Sequence, residues 1–237
     1  MQVAKEWYAA QKVAEHFYRI FEPHASRYLT GNVWMFEGSE SVLIIDTGSG
    51  MRSLRQFIQG MTDKPIMAVA LNCFYDHSNG LHEFDQRLAH AGDQQSIAAP
   101  TEVSSVSSEY LRNNMFTQLP EQDYDVSNFR HHPAQLTRVL NDGDTILLDD
   151  WEFNVIHTPG VTPGSICLLE TKTGSLFTSD VYFHEEGAPS PLPREADVYR
   201  NSVRRLMALR FETVYPGHFD SVPAQVMQDW AAKVLQE

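Results

Sequence analysis

The chain has 237 residues, 42% of them apolar and 21% charged, and a formal net charge of −13. That is enough to bury a large core in one α/β or sandwich domain, and no low-complexity tract points to disorder. The acidic balance argues against nucleic acid or an anionic membrane surface as a partner, since the average field repels both. Two cysteines far apart, Cys73 and Cys167, form no disulfide framework and read as free thiols. The start of the chain lacks the pattern of a secretory leader, and no window is long and apolar enough to span a bilayer. The expectation is a cytoplasmic enzyme-sized protein.

In chain order, "KVAEHFYRIF", "NVWMFEG" and "SVLIIDTGSG" read as strands, the last running into a glycine-rich turn. "MRSLRQFIQGM" places Leu54, Phe57, Ile58 and Met61 at helical spacing, and "KPIMAVAL" is then a short buried strand. A short helix is expected at "LHEFDQRLAH", a strand at "SIAAP" and a helix from near Thr101. Residues 115–137 have no clean period and read as a long surface excursion, of the length that often forms a lid. "TRVLNDGDTILLDDWEFNVIHTPG" looks like a hairpin around Asn141, Asp142 and Gly143, followed by strands at "SICLLE" and "SLFTSD". A helix over about 195–210, a strand "TVYPG" and a closing helix from Val222 finish the chain. Two strand-rich halves with peripheral helices predict two sheets packed face to face. No linker separates them, so residues 1–237 are read as one domain.

Polar clusters recur in the turns after strands: Asp46 in "IIDTGSG", Asp76 and His77 in "FYDHSNG", Asp180 in "FTSDVYF" and His218 in "YPGHFD". Such turns converge in space, and α/β proteins place their chemistry there. Each residue taken alone reads more simply as a turn or helix cap. Together and in this order, with "HTPGVTPGS" between the second and third, they resemble the metallo-β-lactamase-fold hydrolase superfamily, from about Gly31 to the Pro-Gly-His near the C-terminus. The fold implied is α/β, a four-layer αββα sandwich.

The resemblance also shows what has changed. The superfamily signature His-x-His-x-Asp-His reads here as Asn72-Cys73-Phe74-Tyr75-Asp76-His77, without its two leading histidines. Val161 stands where a third histidine would complete the first metal site. The losses at Asn72, Phe74 and Val161 fall on one site of a two-metal centre, whereas Asp76, His77, Asp180 and His218 keep the other. In the superfamily, the Asp46-Thr47-Gly48 turn is structural. Two imidazoles and two carboxylates suit one divalent ion, zinc first, with manganese or iron tolerated.

The implied activity is that of a mononuclear metal-dependent hydrolase acting on a small ester, thioester or lactone-like compound. Metal-bound water would be the nucleophile and Asp76 or Asp180 the catalytic proton acceptor. A catalytically silent protein that binds a small ligand on the same fold is the alternative, and an iron redox role is a third. Tyr182 and His184, which follow Asp180, are the expected substrate contacts, with Phe74 and Val161 lining a drier side of the cleft. His131 and His132 in the excursion read as solvated unless a lid closes over the pocket. A homodimer is allowed.

Overall fold

A computed structural model describes residues 1–184 and 195–236. The first sheet is built from β1 (Ala9–Ala14), β2 (Phe17–Phe21), β3 (Val33–Glu37), β4 (Val42–Ile45), β5 (Ile66–Val69), β6 (Gln86–His90) and β7 (Arg138–Leu140), in that order across the sheet. The second holds β8 (Thr145–Leu148), β9 (Trp151–His157), β10 (Ile166–Glu170), β11 (Ser175–Ser179), β12 (Thr213–Pro216) and β13 (Val222–Pro223), in the spatial order β13-β12-β11-β10-β9-β8. The helices are α1 (Leu54–Gln59), α2 (Tyr75–Ser78), α3 (Gln94–Ala98), α4 (Ser107–Tyr110), α5 (Ala196–Met207) and α6 (Ala224–Val234).

Side chains alternate across each strand with a period of two, and that sorts the core into layers. Trp34 and Phe36 of β3 and Leu43 and Ile45 of β4 face the second sheet, where they meet Phe153, Val155, Ile166, Leu168 and Phe177. Their neighbours Val33, Met35, Val42 and Ile44 face outward onto Leu54 and Ile58 of α1 and onto Trp7 and Tyr8 near the N-terminus. On the far side Cys167, Leu176 and Val214 pack under Val203 and Leu206 of α5 and Met227 and Trp230 of α6. The result is the four-layer αββα sandwich anticipated from the sequence.

Several local expectations change. "LHEFDQRLAH" splits into a short 3-10 turn and the strand β6, which pairs in parallel with β5 and β7. Leu81, Phe84 and Leu88 sit at helix-like spacing, but only Leu88 lies on the strand, where burial rises from the exposed Gln86 to Leu88, Ala89 and His90 with no period-two alternation to betray it. "SIAAP" ends the short helix α3, with only Ile97 buried. Turns occupy the stretch from Thr101, and helix α4 starts at Ser107. The Asn141–Gly143 turn is not a hairpin: β7 closes the first sheet and β8 opens the second, so the turn carries the chain between sheets. The hairpin is β8–β9, through Asp149 with φ of 48°.

The excursion is stitched down at several points. Met115 accepts from the Ser26 N–H, Leu119 pairs with the N-terminal segment, and Phe116 is buried against Trp7. Further on, Phe129 packs edge-on to Tyr75 of α2, and the Asn79 side chain accepts from the His132 N–H and donates to the Arg130 carbonyl.

Candidate metal centre

β4 and β5 run parallel, as do β11 and β12, and the sandwich brings the C-terminal ends of these two pairs together. The turns leaving them supply Asp46, the segment Asn72–His77, the pair Ser179–Asp180, and His218. Asn32 ties the two sheets at this end, its Nδ2 donating to the carbonyls of Pro216 and Phe219. The Ile166 N–H donates to the Leu71 carbonyl beside it.

Four side chains converge. His218 Nε2 lies 3.1 Å from Asp76 Oδ2 and 3.2 Å from Asp180 Oδ1; His77 Nε2 lies 3.1 Å from the same Asp180 oxygen and 3.6 Å from Asp76 Oδ2. All four are buried, His77 completely. Asp76, His77 and His218 offer ligand atoms that lie within 4.8 Å of one another, the one such group among the described residues. Each imidazole is aimed from behind: Nδ1 of His77 donates to Asp46 Oδ2 at 2.7 Å, and Nδ1 of His218 donates to the Arg27 carbonyl at 3.0 Å. With both Nδ1 atoms engaged, both Nε2 atoms face the centre, the arrangement that metal-binding histidines need.

The backbone is built around these rings. A Cβ on Gly217 would sit 2.7 Å from His77 Cε1, and one on Gly31 would sit 2.6 Å from the Asp76 carbonyl oxygen, so His77 is held where only glycine admits it. Asp46, Ser179 and Phe219 adopt left-handed φ values of 62°, 45° and 65°. Non-glycine residues in that region are uncommon and collect where surrounding structure over-determines them.

Electrostatics point the same way. Burial alone would lower the His77 proton affinity, but the carboxylates of Asp180, Asp76 and Asp46 outweigh it and hold the imidazole well above its usual range. Burial also opposes protonation of His218, yet hydrogen bonds to Asp180 and Asp76 push it up to about 9. Burial would raise the Asp180 carboxyl, but the His77 charge and hydrogen bonds from His218 and His77 hold it well below the usual carboxylate range. A buried cluster with two carboxylates grips whatever positive charge it can reach. The donor set of two nitrogens and two oxygens fits one divalent cation, which would displace the protons.

At the three positions without ligands, Asn72 turns inward, its Nδ2 3.0 Å from Asp180 Oδ2. Phe74 is half-buried and packs toward Leu29, Tyr75, Val106 and Leu111. Val161 is half-buried in a different cluster, with Tyr182 and Tyr199. Tyr182 lies in the core, edge-on to Trp230 of α6, while His184 is exposed. The sequence reading missed Phe183, whose ring centroid is 4.8 Å from that of His218 and 5.0 Å from that of Phe219. It also missed the contact between Asn72 and Asp180, because an asparagine two residues from a phenylalanine carries no sign of which way its amide points. His131 contacts Ser78 Oγ at 3.2 Å, and the His132 ring lies tilted against that of His82, centroids 4.4 Å apart. Cys73 and Cys167 are buried free thiols, and Cys167 is pushed up to about 12 by burial.

Residues 27–218 match the sequence profile of the family described as the metallo-beta-lactamase superfamily. The chain is 31% identical over 241 residues to the human acyl-coenzyme A thioesterase MBLAC2, covering 94% of this chain and 85% of that protein, and 32% identical to its Bos taurus counterpart over the same shares. Among solved structures, a metallo-beta-lactamase family protein from Thermus thermophilus superposes with a TM-score of 0.69 at 17% identity, over 94% of this chain and 80% of that one. The chain therefore belongs to the metallo-beta-lactamase superfamily, as one of its hydrolases.

Proposed function

We propose that the protein is a thioesterase that works with a single divalent metal and cleaves acyl thioesters of the acyl-coenzyme A class. The observation that carries this reading is the convergence of Asp76 Oδ2, His77 Nε2, Asp180 Oδ1 and His218 Nε2 in one buried cluster, with no second ligand set at Asn72, Phe74 and Val161. The substrate class is supported by the relatives that match along most of the chain, which are named acyl-coenzyme A thioesterases.

Asp76, His77, Asp180 and His218 would hold the cation, zinc first. When bound, it supplies Lewis-acid polarisation of the carbonyl and acidification of water. The chain's own groups do the rest. Asp46 and the Arg27 carbonyl keep the two imidazoles from rotating. Asp180 is engaged at both oxygens, Oδ1 by the imidazoles and Oδ2 by Asn72, whereas Asp76 meets the imidazoles through Oδ2. Asp76 Oδ1 is therefore assigned to receive the proton released by the attacking water. A thioester suits a site without a dedicated acid, because a thiolate leaves without first being protonated, its conjugate acid having a pKa of about 8.5. Phe183, packed on His218 and Phe219, keeps bulk water from that flank.

The test is metal content and turnover measured on the same preparation. One equivalent of metal per chain is expected, with hydrolysis of acyl-coenzyme A substrates that chelation removes and metal restores. Asp76→Ala and His218→Ala should lose both. A folded wild type that takes up no metal from a supplemented medium, or a loaded protein that cleaves esters or lactones but no thioester, sinks the reading.

A further inference from the structure

We infer that Asn32, braced by Arg19, is a positioning residue that places the His218 imidazole at the metal centre. The inference rests on the single-metal reading above. Asn32 stands just before β3 of the first sheet and is 3% exposed, whereas His218 lies in the turn that leaves β12 of the second. The Asn32 N–H donates to the Gly217 carbonyl, and its Nδ2 donates to the carbonyls of Pro216 at 3.0 Å and Phe219 at 2.9 Å. One residue therefore grips the turn on both sides of the imidazole.

The amide orientation is settled by its partners. Oδ1 accepts from Arg19 Nε at 2.8 Å, a group that can only donate, and the two carbonyls on the other side can only accept. A flipped amide would lose all three bonds. Arg19 comes from the middle of β2, away from the cluster, and its Nη1 pairs with Asp220 at 2.6 Å, two residues beyond His218. The contacts thus run from β2 through the amide into the turn, and from the turn back to β2.

Two constraints are needed to aim this histidine. The bond from His218 Nδ1 to the Arg27 carbonyl sets the rotation of the ring, but it leaves the backbone beneath the ring free to shift. Asn32 supplies the second constraint. Phe219 holds a left-handed φ of 65°, which a bulky residue keeps only where its surroundings impose it, and the amide bonds the carbonyl of that same residue. The clamp also reaches Asp180, because the Gly217 N–H donates to the Ser179 carbonyl at 2.9 Å, in the turn that carries Asp180. None of the Asn32 hydrogen bonds goes to a side chain of the cluster, so its effect is on placement rather than on charge.

The experiment titrates the intact chain with Co²⁺, reading stoichiometry, affinity by chelator competition and the visible cobalt spectrum, beside thermal unfolding of the metal-free protein. Wild type should take one equivalent. Asn32→Leu keeps the volume and removes the side-chain hydrogen bonds; it should still take one equivalent, but bind it roughly 10- to 100-fold more weakly and with shifted bands, as lost support behind a ligand predicts. Arg19→Met keeps the stem but leaves the amide unbraced, and should move affinity and spectrum the same way by less. A purely structural role would lower the unfolding temperature alone, so wild-type affinity and spectrum in folded Asn32→Leu overturn the inference. If Asn32→Leu does not fold, Arg19→Met decides, and wild-type values there overturn it. A wild type that takes up no cobalt overturns this inference together with the metal reading, whereas cobalt uptake without thioester turnover overturns only the proposed activity.

Discussion

Asp46 Oδ2 accepts the Nδ1–H of His77 at 2.7 Å, while the other oxygen of the same carboxylate accepts the Leu71 N–H at 2.8 Å. The left-handed Asp46 in the turn after β4 therefore fixes both the first imidazole and the end of the segment that carries it. Both oxygens are needed as acceptors, because Ser179 Oγ also donates to Oδ2. Asparagine offers one acceptor and would turn an N–H toward one of these donors. Asp46→Asn should keep the fold but raise the metal dissociation constant roughly 10- to 100-fold, the usual cost of removing support behind a metal-ligating histidine. Chelator competition measures it; an unchanged constant means that the carboxylate does not orient His77.

Gly217 offers a steric test of the same ring. Its added Cβ would meet His77 Cε1 at 2.7 Å and Ser179 backbone atoms at 2.9 and 3.0 Å. Neither neighbour has room to give, since His77 is fully buried and Ser179 already holds φ of 45°. Gly217→Ala should lose about 1–3 kcal/mol of stability, the range for overpacking a tight interior. It should also lose metal affinity, because relief comes by pushing the imidazole off the centre. Thermal unfolding with and without metal separates the two effects.

Most of the layering was legible in the residues. The unbroken apolar runs in "NVWMFEG" and "SVLIIDTG" predict strands with two buried faces, and the turns after them predict where polar side chains gather. What could not be read was anything settled by pairing at a distance. The segment Gln86–His90 is a strand because β5 and β7 flank it, although its own spacing suits a helix. The Asn141–Gly143 turn has hairpin chemistry, yet β7 finds its partner in β6 and β8 finds its own in β9. The site divides the same way. Asp76, His77, Asp180 and His218 could be named from motif order, but the inward turn of Asn72 depends on atoms more than a hundred residues away in the chain, and the packing of Phe183 on His218 joins two separate turns.

Proton release should accompany metal uptake. In the metal-free protein the His77 and His218 imidazoles are both held above their usual range, His218 at about 9, so both carry protons at neutral pH. A cation needs them neutral. Uptake at pH 7 should release about two protons per metal, and apparent affinity should climb as pH rises toward about 9. Calorimetry in buffers of different ionisation enthalpy counts these protons. The linkage has a second consequence for the metal-free form. A raised folded-state value adds stability that is complete below the unfolded imidazole value of about 6.5 and is lost as pH rises through about 9. Metal-free protein should therefore lose stability over that interval, and loaded protein should not follow it.

Glu22 gives a pH effect of opposite chemical origin away from the centre. Its side chain lies under the turn after β4, where Oε1 accepts from Trp7 Nε1 at 3.2 Å and Ser49 Oγ at 2.7 Å. Oε2 is buried without a hydrogen-bond partner, as is the Tyr124 hydroxyl. Burial pushes this carboxyl up to about 7, against the lowering effect of the Ser49 and Trp7 hydrogen bonds and with a smaller push from Asp76. For an acid raised on folding, the native state binds the extra proton between the two values, so stability falls as pH rises from about 4.5 to about 7 and stays lower above it. Glu22→Gln keeps an acceptor for Trp7 and Ser49 and removes the charge. The variant should match wild type near pH 4.5 and be more stable above pH 7, by an amount on the order of 3 kcal/mol. Denaturant unfolding of both proteins across that range reads the difference directly; parallel pH profiles would mean that Glu22 carries its charge in the fold at no cost.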